Sequence, residues 1–118
     1  MKRIVIITLL LVGALAVGCF AGFKMSQYSL SGMSLSYVND AQTYLKEKDY
    51  VRATAYFNKA TALDPNSFIA HISLADTYYV LNNFPLALDE YEIALTHTIN
   101  NSERKYIEER IEKLKAKK

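Results

Sequence analysis

Residues 34–67 read SLSYVNDAQTYLKEKDYVRATAYFNKATALDPNS, and residues 68–101 read FIAHISLADTYYVLNNFPLALDEYEIALTHTINN. The second segment repeats the first at a period of 34 residues, with similar side chains at matching positions. The matching pairs are Tyr37 and His71, Tyr44 and Tyr78, Tyr50 and Phe84, Ala53 and Ala87, Phe57 and Tyr91, Ala60 and Ala94, and Asn66 and Asn100. Self-similarity at this period predicts an array of stacked helical hairpins.

The apolar residues within each segment have the spacing of amphipathic helices. This spacing predicts helices over residues 35–46 and 53–62 in the first segment, and over 68–81 and 85–97 in the second. Asp64-Pro65-Asn66 ends the second helix, because proline cannot continue a helix and disfavours helical backbone in the residue before it. Alanines allow the helix backbones to approach, and tyrosines and phenylalanines fill the space between hairpins.

A further helix is predicted at the C-terminal end, where Ser102 is a suitable N-cap and the helix runs from 103 to about 116. Its apolar residues form one stripe: Tyr106, Ile107, Ile111 and Leu114. The remaining side chains are mostly charged. This pattern is typical of a closing helix that covers the last hairpin and presents a polar back to water.

At these positions residues 34–67 and 68–101 resemble two tetratricopeptide repeats. The first carries the pattern at Tyr37, Ala41, Tyr44, Asp49, Tyr50, Ala53, Phe57, Ala60 and Pro65, and the second at Leu74, Ala75, Tyr78, Phe84, Ala87, Tyr91 and Ala94. The chain departs from the pattern at Asp40, where an apolar residue is usual, at His71, where a large aromatic is usual, and at Ile99, where the closing proline is missing. The resemblance implies an all-α fold and a protein–protein interaction module.

In arrays of this family the first helix of each hairpin lines the concave face that binds a partner. Here that face is predicted to consist of Leu35, Val38, Gln42, Leu45, Lys46, Ile69, Ile72, Asp76, Tyr79 and Val80. Because most of these side chains are apolar, the expected ligand is an extended or helical protein segment. Because two repeats are few for a stable array, a protein partner, a second copy or the N-terminal segment is expected to supply further contacts.

The N-terminal segment contains an uncharged apolar run of twenty residues, 4–23, after Met1-Lys2-Arg3. This length suffices to span a bilayer. The positive start predicts a single-pass anchor in residues 1–24, with a cytoplasmic N-terminus and the repeats on the outer side of the membrane. Ala14, Gly18 and Gly22 lie four residues apart, a spacing that permits close packing against another membrane helix.

Two alternatives for this segment remain open. Ala16-Val17-Gly18-Cys19 resembles the lipidation signal of bacterial lipoproteins, in which Cys19 would become the lipid-bearing first residue. Ala14-Leu15-Ala16 fits the cleavage site of a secretory signal. All three interpretations export the repeats. The Ser-rich residues 25–33 are predicted to be a tether between this segment and the first repeat, with the alternative that some of them join the first helix.

Charge and composition restrict the function further. The net charge is +2, distributed as +3 over residues 1–33, −4 over 34–101 and +3 over 102–118, and no block is basic enough to indicate nucleic-acid binding. The repeats contain no glycine for a phosphate-binding loop, and His71 and His97 have no cysteine near them. We therefore expect no enzyme activity, no metal or cofactor, and no small-molecule substrate.

The sequence thus predicts a membrane-anchored adaptor outside the cytoplasm, a small accessory or assembly subunit of a membrane protein complex. The alternative is a lipoprotein with the same repeats that assists envelope or pilus assembly.

Overall fold

A computed structural model describes residues 29–117 of the chain. The described residues form five α-helices and no strand: α1 (residues 29–46), α2 (Tyr50–Leu63), α3 (Phe68–Val80), α4 (Phe84–His97) and α5 (Asn101–Lys115). The predicted all-α fold is confirmed for this part of the chain. The predicted anchor or signal segment, residues 1–24, lies outside it. Of the helices within residues 29–117, none combines the length and the apolar character that a membrane crossing requires.

The helices stack in chain order. α3 packs against both α2 and α4, and α5 packs against α4. The first core lies between the hairpin α1–α2 and the start of the next hairpin. It contains Val38 and Ala41 from α1, Ala53, Phe57 and Ala60 from α2, and Ala70 and Leu74 from α3. Phe57 is fully buried between alanines, as the pattern of large and small residues predicted.

The second core lies between the hairpin α3–α4 and α5. Tyr91 occupies the position that Phe57 holds in the first core, and Ala87 and Ala94 flank it on α4. Ile107, Ile111 and Leu114 of α5 complete this core. The apolar stripe of α5 therefore covers the last hairpin, in agreement with its predicted role as a closing helix.

Helix α2 begins at Tyr50, three residues before the predicted start, because Asp49 caps it. One carboxylate oxygen of Asp49 accepts a hydrogen bond from the backbone N–H of Arg52 at 3.0 Å. The other accepts from the guanidinium Nε of Arg52 at 2.6 Å. Both bonds favour the ionised carboxylate, and they hold the pKa of Asp49 below its ordinary value.

Helix α1 includes residues 29–33, which were predicted to be part of a tether. Serine and glycine are weak helix formers, so composition favoured an irregular segment. The helix is supported instead by packing, because the side chain of Ser34 is buried against α2. Its hydroxyl donates a hydrogen bond to the carbonyl of Ala60 at 2.9 Å.

Helix α5 is capped by Asn100 rather than by Ser102, which lies inside the helix. The side-chain oxygen of Asn100 accepts hydrogen bonds from the backbone N–H of Ser102 at 2.9 Å and from its hydroxyl at 2.6 Å. The predicted cap was wrong because both residue types are good caps and the sequence offered them two positions apart. The connection 98–100, in which Ile99 replaces the expected proline, is one residue shorter than 64–67.

Candidate protein-binding surface

The predicted binding residues lie on the outer side of the first helices, α1 and α3, which we call the first-helix face. Leu35, Gln42, Lys46, Ile69 and Val80 are exposed there, and Leu45, Ile72, Asp76 and Tyr79 are partly buried. Val38 does not belong to this face. It is 2% exposed and packs in the first core, because the helix turns its side chain toward α2.

Three of the predicted residues are brought together. Leu45 at the end of α1 and Asp76 and Val80 on α3 line a hollow of about 220 Å³, together with Tyr50 and Thr77. The repeat pattern predicted that Tyr50 fills space between hairpins rather than lining a surface. Because it is the first residue of α2, its ring stands at the edge of the hairpin, beside the end of the neighbouring first helix.

The carboxylate of Asp76 ties α3 to the two following helices. It accepts hydrogen bonds from the hydroxyl of Tyr91 on α4 and from that of Tyr106 on α5, the latter at 3.2 Å. Burial and this carboxylate raise the pKa of both phenols above the ordinary value for tyrosine. Both hydroxyls therefore keep their protons and donate. The carboxylate of Asp76 thus forms its hydrogen bonds within the fold rather than with a partner.

Two cationic side chains pack against the ring of Tyr79. The guanidinium of Arg110 lies 5.1 Å and the ammonium of Lys117 lies 4.9 Å from the ring centroid. Lys117 also donates a hydrogen bond to the Tyr79 hydroxyl at 3.4 Å. Such contacts hold long side chains in place at a cost in their conformational freedom. The C-terminal part of α5 and the residues just after it therefore contribute to this side of the array.

Sequence reasoning missed Tyr106, Arg110 and Lys117 as part of this surface. The apolar stripe of α5 indicated what the helix buries, but not which of its polar side chains reach back to α3. The spacing of Tyr106 and Arg110, one helical turn apart, indicated that these two side chains could interact. In the structure, Arg110 Nε donates a hydrogen bond to the Tyr106 hydroxyl at 3.1 Å.

The two histidines are placed in the structure as a packed pair, with ring centroids 6.3 Å apart. His71 is buried, and its Nδ1 lies 2.6 Å from Glu90 Oε2 while its Nε2 lies 2.8 Å from the carbonyl of Pro65. Each ring nitrogen therefore faces an oxygen atom, and the buried imidazole is held on both sides. His71 therefore joins the connection 64–67 to α4.

Within the described residues, no three His, Cys, Asp or Glu side chains are grouped as ligands of a metal ion would be. The residues predicted for membrane-helix packing, Ala14, Gly18 and Gly22, and the candidate lipidation site Cys19 lie outside the described range.

Comparison with known protein families agrees with the stacked hairpins and with their alternation of alanine and aromatic side chains. The family model of the tetratricopeptide repeat matches residues 44–104, slightly more than half of the chain. The chain belongs to the tetratricopeptide repeat family. The matched part begins near the end of α1 and reaches the first turn of α5. A search of the curated proteins finds no match to the chain.

Tetratricopeptide repeats are protein–protein interaction modules, so a role in binding other proteins follows from family membership. The geometry agrees with such a role. The array presents exposed apolar side chains on the first-helix face. The side chains of Asp76 and His71, in contrast, form their hydrogen bonds within the fold.

Proposed function

We propose that this tetratricopeptide repeat protein is a membrane-anchored adaptor that holds a partner protein at the outer side of a membrane. The observation that carries the docking role is the set of exposed apolar side chains on the first-helix face. Ile69 and Val80 on α3 are 51% and 53% exposed. Covering such side chains with a partner removes apolar surface from water, which favours association.

The proposed membrane anchor is supported by the sequence alone. Residues 4–23 are uncharged, and the positive charges of Lys2 and Arg3 precede them. A single helix of this length would keep the N-terminus in the cytoplasm and the repeats outside. A small subunit so placed is suited to bring a second protein to a membrane complex.

The experiment compares two substitutions of the same kind in the full chain, extracted with a mild detergent and analysed by native mass spectrometry. Ile69→Glu places a charge on the first-helix face, and Ile93→Glu places one on the exposed side of α4, where the isoleucine is 37% exposed. We expect a co-purifying protein with the unsubstituted chain and with Ile93→Glu, and its loss with Ile69→Glu. A monodisperse chain without a bound protein would contradict the adaptor role.

A lipoprotein that assists envelope or pilus assembly is the second candidate. It is favoured by Ala16-Val17-Gly18-Cys19, which places small residues directly before the cysteine. Mass spectrometry of the mature N-terminus distinguishes the two. A lipid-modified Cys19 at the N-terminus supports the lipoprotein, and an intact N-terminus at residue 1 or 2 supports the retained anchor.

A further inference from the structure

A second surface lies at the edge where the first helix of each hairpin ends and the second begins. We define this turn edge as residues 45–51, 79–86 and 113–117. It carries two hollows. The first, of about 220 Å³, is the one lined by Leu45, Tyr50 and Val80 with two further residues of α3. The second, of about 210 Å³, is lined by Phe84, Pro85, Leu88, Leu114 and Lys117.

The two hollows are equivalent features of successive repeats. Tyr50 and Phe84 are 34 residues apart, and each is the first residue of the second helix of its hairpin. The opposite wall is formed in each case by the end of the following first helix, at Val80 for the first hollow and at Leu114 for the second. The turn edge therefore offers two apolar sockets in a row.

The separation of the sockets follows from the helix packing. α3 and α5 are bridged by the hydrogen bond between Tyr106 and Asp76, but their backbones are not in contact, so their axes lie farther apart than the about 8–10 Å of directly packed helices. A helix rises about 10.5 Å over seven residues, and an extended strand rises about 10 Å over three. Two large apolar side chains at either spacing come close to this separation.

The charge of the turn edge is positive. It contains five lysines and two carboxylates: Lys46, Lys48, Lys113, Lys115 and Lys117 against Glu47 and Asp49. Asp76, which also lines the first hollow, adds a third carboxylate, and it accepts hydrogen bonds from Tyr91 and Tyr106. Asp49 is paired with Arg52 at 2.6 Å. Within residues 29–117 no lysine forms an ion pair with a carboxylate. The stretch 79–86 between the lysines is uncharged.

Lys117 marks the rim of the second socket. Its ammonium lies 4.4 Å from the centroid of the Phe84 ring and 4.9 Å from that of Tyr79. The charge is therefore held beside the apolar wall. A carboxylate that follows an apolar side chain in a partner would meet this ammonium.

We propose that the turn edge binds an acidic segment of a partner protein through two large apolar side chains, one in each socket. The inference rests on the proposed docking function and specifies the chemistry of the partner. A protein segment fits better than an anionic membrane, because hollows accept single side chains. The edge also lies at the opposite end of α1 from residue 29, about 26 Å away at 1.5 Å per residue.

The test uses the full chain in neutral detergent micelles and synthetic peptides as probes. One peptide is a Glu- and Ala-rich helix with two leucines seven positions apart, and the other is an acidic extended peptide with two leucines three positions apart. Controls replace one leucine by alanine or every glutamate by lysine. Binding is followed by amide chemical shifts.

We expect one of the two-leucine peptides to shift resonances at both sockets, including those of Tyr50 and Phe84. The peptide with one leucine should bind about tenfold more weakly, and the lysine peptides should not bind. Lys117→Glu should weaken binding about tenfold. Lys105→Glu, the same change on the exposed back of α5, should alter it less than twofold.

Failure of both acidic peptides to bind, or equal binding by Lys117→Glu, overturns the inference. If vesicles containing phosphatidylglycerol bind the chain in a Lys117-dependent manner while the peptides do not, the edge is a membrane-binding surface. If the peptides fail but Ile69→Glu still releases a co-purifying protein, the inference is wrong while the docking function stands. If the chain binds neither peptide nor protein, both proposals are wrong.

Discussion

Lys48 and Asn82 lie 34 residues apart and adopt the same left-handed backbone conformation, with φ of 60° and 58°. Each is the second residue beyond the end of a first helix, and the same pair of backbone hydrogen bonds closes both turns. Asp49 N–H donates to the carbonyl of Tyr44 and Asn83 N–H to that of Tyr78, both at 2.9 Å. This is the Schellman arrangement, in which glycine is the preferred residue at the left-handed position. The repeats reach the geometry without glycine.

Replacing Lys48 by glycine should therefore stabilise the array. A left-handed conformation costs an ordinary L-residue about 1–2 kcal/mol, whereas asparagine tolerates it better. We expect Lys48→Gly to raise the free energy of unfolding by about 1 kcal/mol and Asn82→Gly to raise it by less. Urea denaturation followed by circular dichroism measures both. A loss of stability in Lys48→Gly would contradict the assigned turn geometry.

The pair of His71 with Glu90 should be required for full stability. His71→Ala leaves the Glu90 carboxyl group and the Pro65 carbonyl without their hydrogen-bond partner, which should cost about 1–3 kcal/mol. His97→Gln is the control, because its ring is half-exposed and stacks without these bonds; it should cost no more than about 0.5 kcal/mol. Equal losses of thermal stability in the two variants would show that the two hydrogen bonds of His71 contribute little.

The buried phenol of Tyr91 should make the array sensitive to alkali. Its pKa is raised in the folded chain, first by burial and then by its hydrogen bond to Asp76. Below about pH 10, the ordinary pKa of tyrosine, folded and unfolded chains both keep this proton. Above that pH only the unfolded chain loses it. Stability should then fall by about 1.4 kcal/mol per pH unit for this one proton.

Tyr91→Phe tests this dependence on pH. At neutral pH it should cost about 1.5–3 kcal/mol, because Asp76 loses a donor. Between pH 10 and 11 the slope of stability against pH should be shallower than in the unsubstituted chain, with the remainder carried by groups such as Tyr106. Tyr78→Phe, which loses only a 3.5 Å contact with Asn58, is the matched control and should keep the neutral-pH stability. An unchanged slope in Tyr91→Phe would contradict the role of this phenol.

The first core should depend on one aromatic side chain. Phe57 is fully buried, and truncation to alanine should cost about 3–5 kcal/mol through the cavity that remains. This is a large share of the roughly 5–15 kcal/mol that stabilises a typical domain. Val51→Ala, at a position that is 78% exposed on the same helix, should leave the melting temperature almost unchanged. Similar melting temperatures for the two variants would show that the helices do not stack as described.

The sequence was informative wherever structure depends on repeated packing. Ala53, Phe57 and Ala60 are in the core because period and residue size identify positions that every hairpin must bury. It was less informative where two local solutions are close in energy. Ser102 and Asn100 are both good caps, and the choice depends on how α5 lies against α4.

Further differences between the predicted and the observed structure arise from tertiary packing. Residues 29–33 have loop-like composition, but the buried contact of Ser34 with Ala60 supports a helix that propensity alone does not favour. Val38 was assigned to the binding surface from its place in the repeat, yet small rotations of a helix decide whether such a residue faces the core or the partner. The contacts of Lys117 and Arg110 with Tyr79 join residues more than thirty positions apart, and no local pattern predicts them.

Site-specific photo-crosslinking in the cells that make the protein tests the central claim most directly. A photoreactive residue is placed at position 69, on the first-helix face, or at position 93, on the exposed side of α4, in the full chain. The docking account predicts one defined protein adduct from position 69 and none from position 93. Adducts of the same protein in equal yield from both positions, or no adduct from position 69, would contradict it.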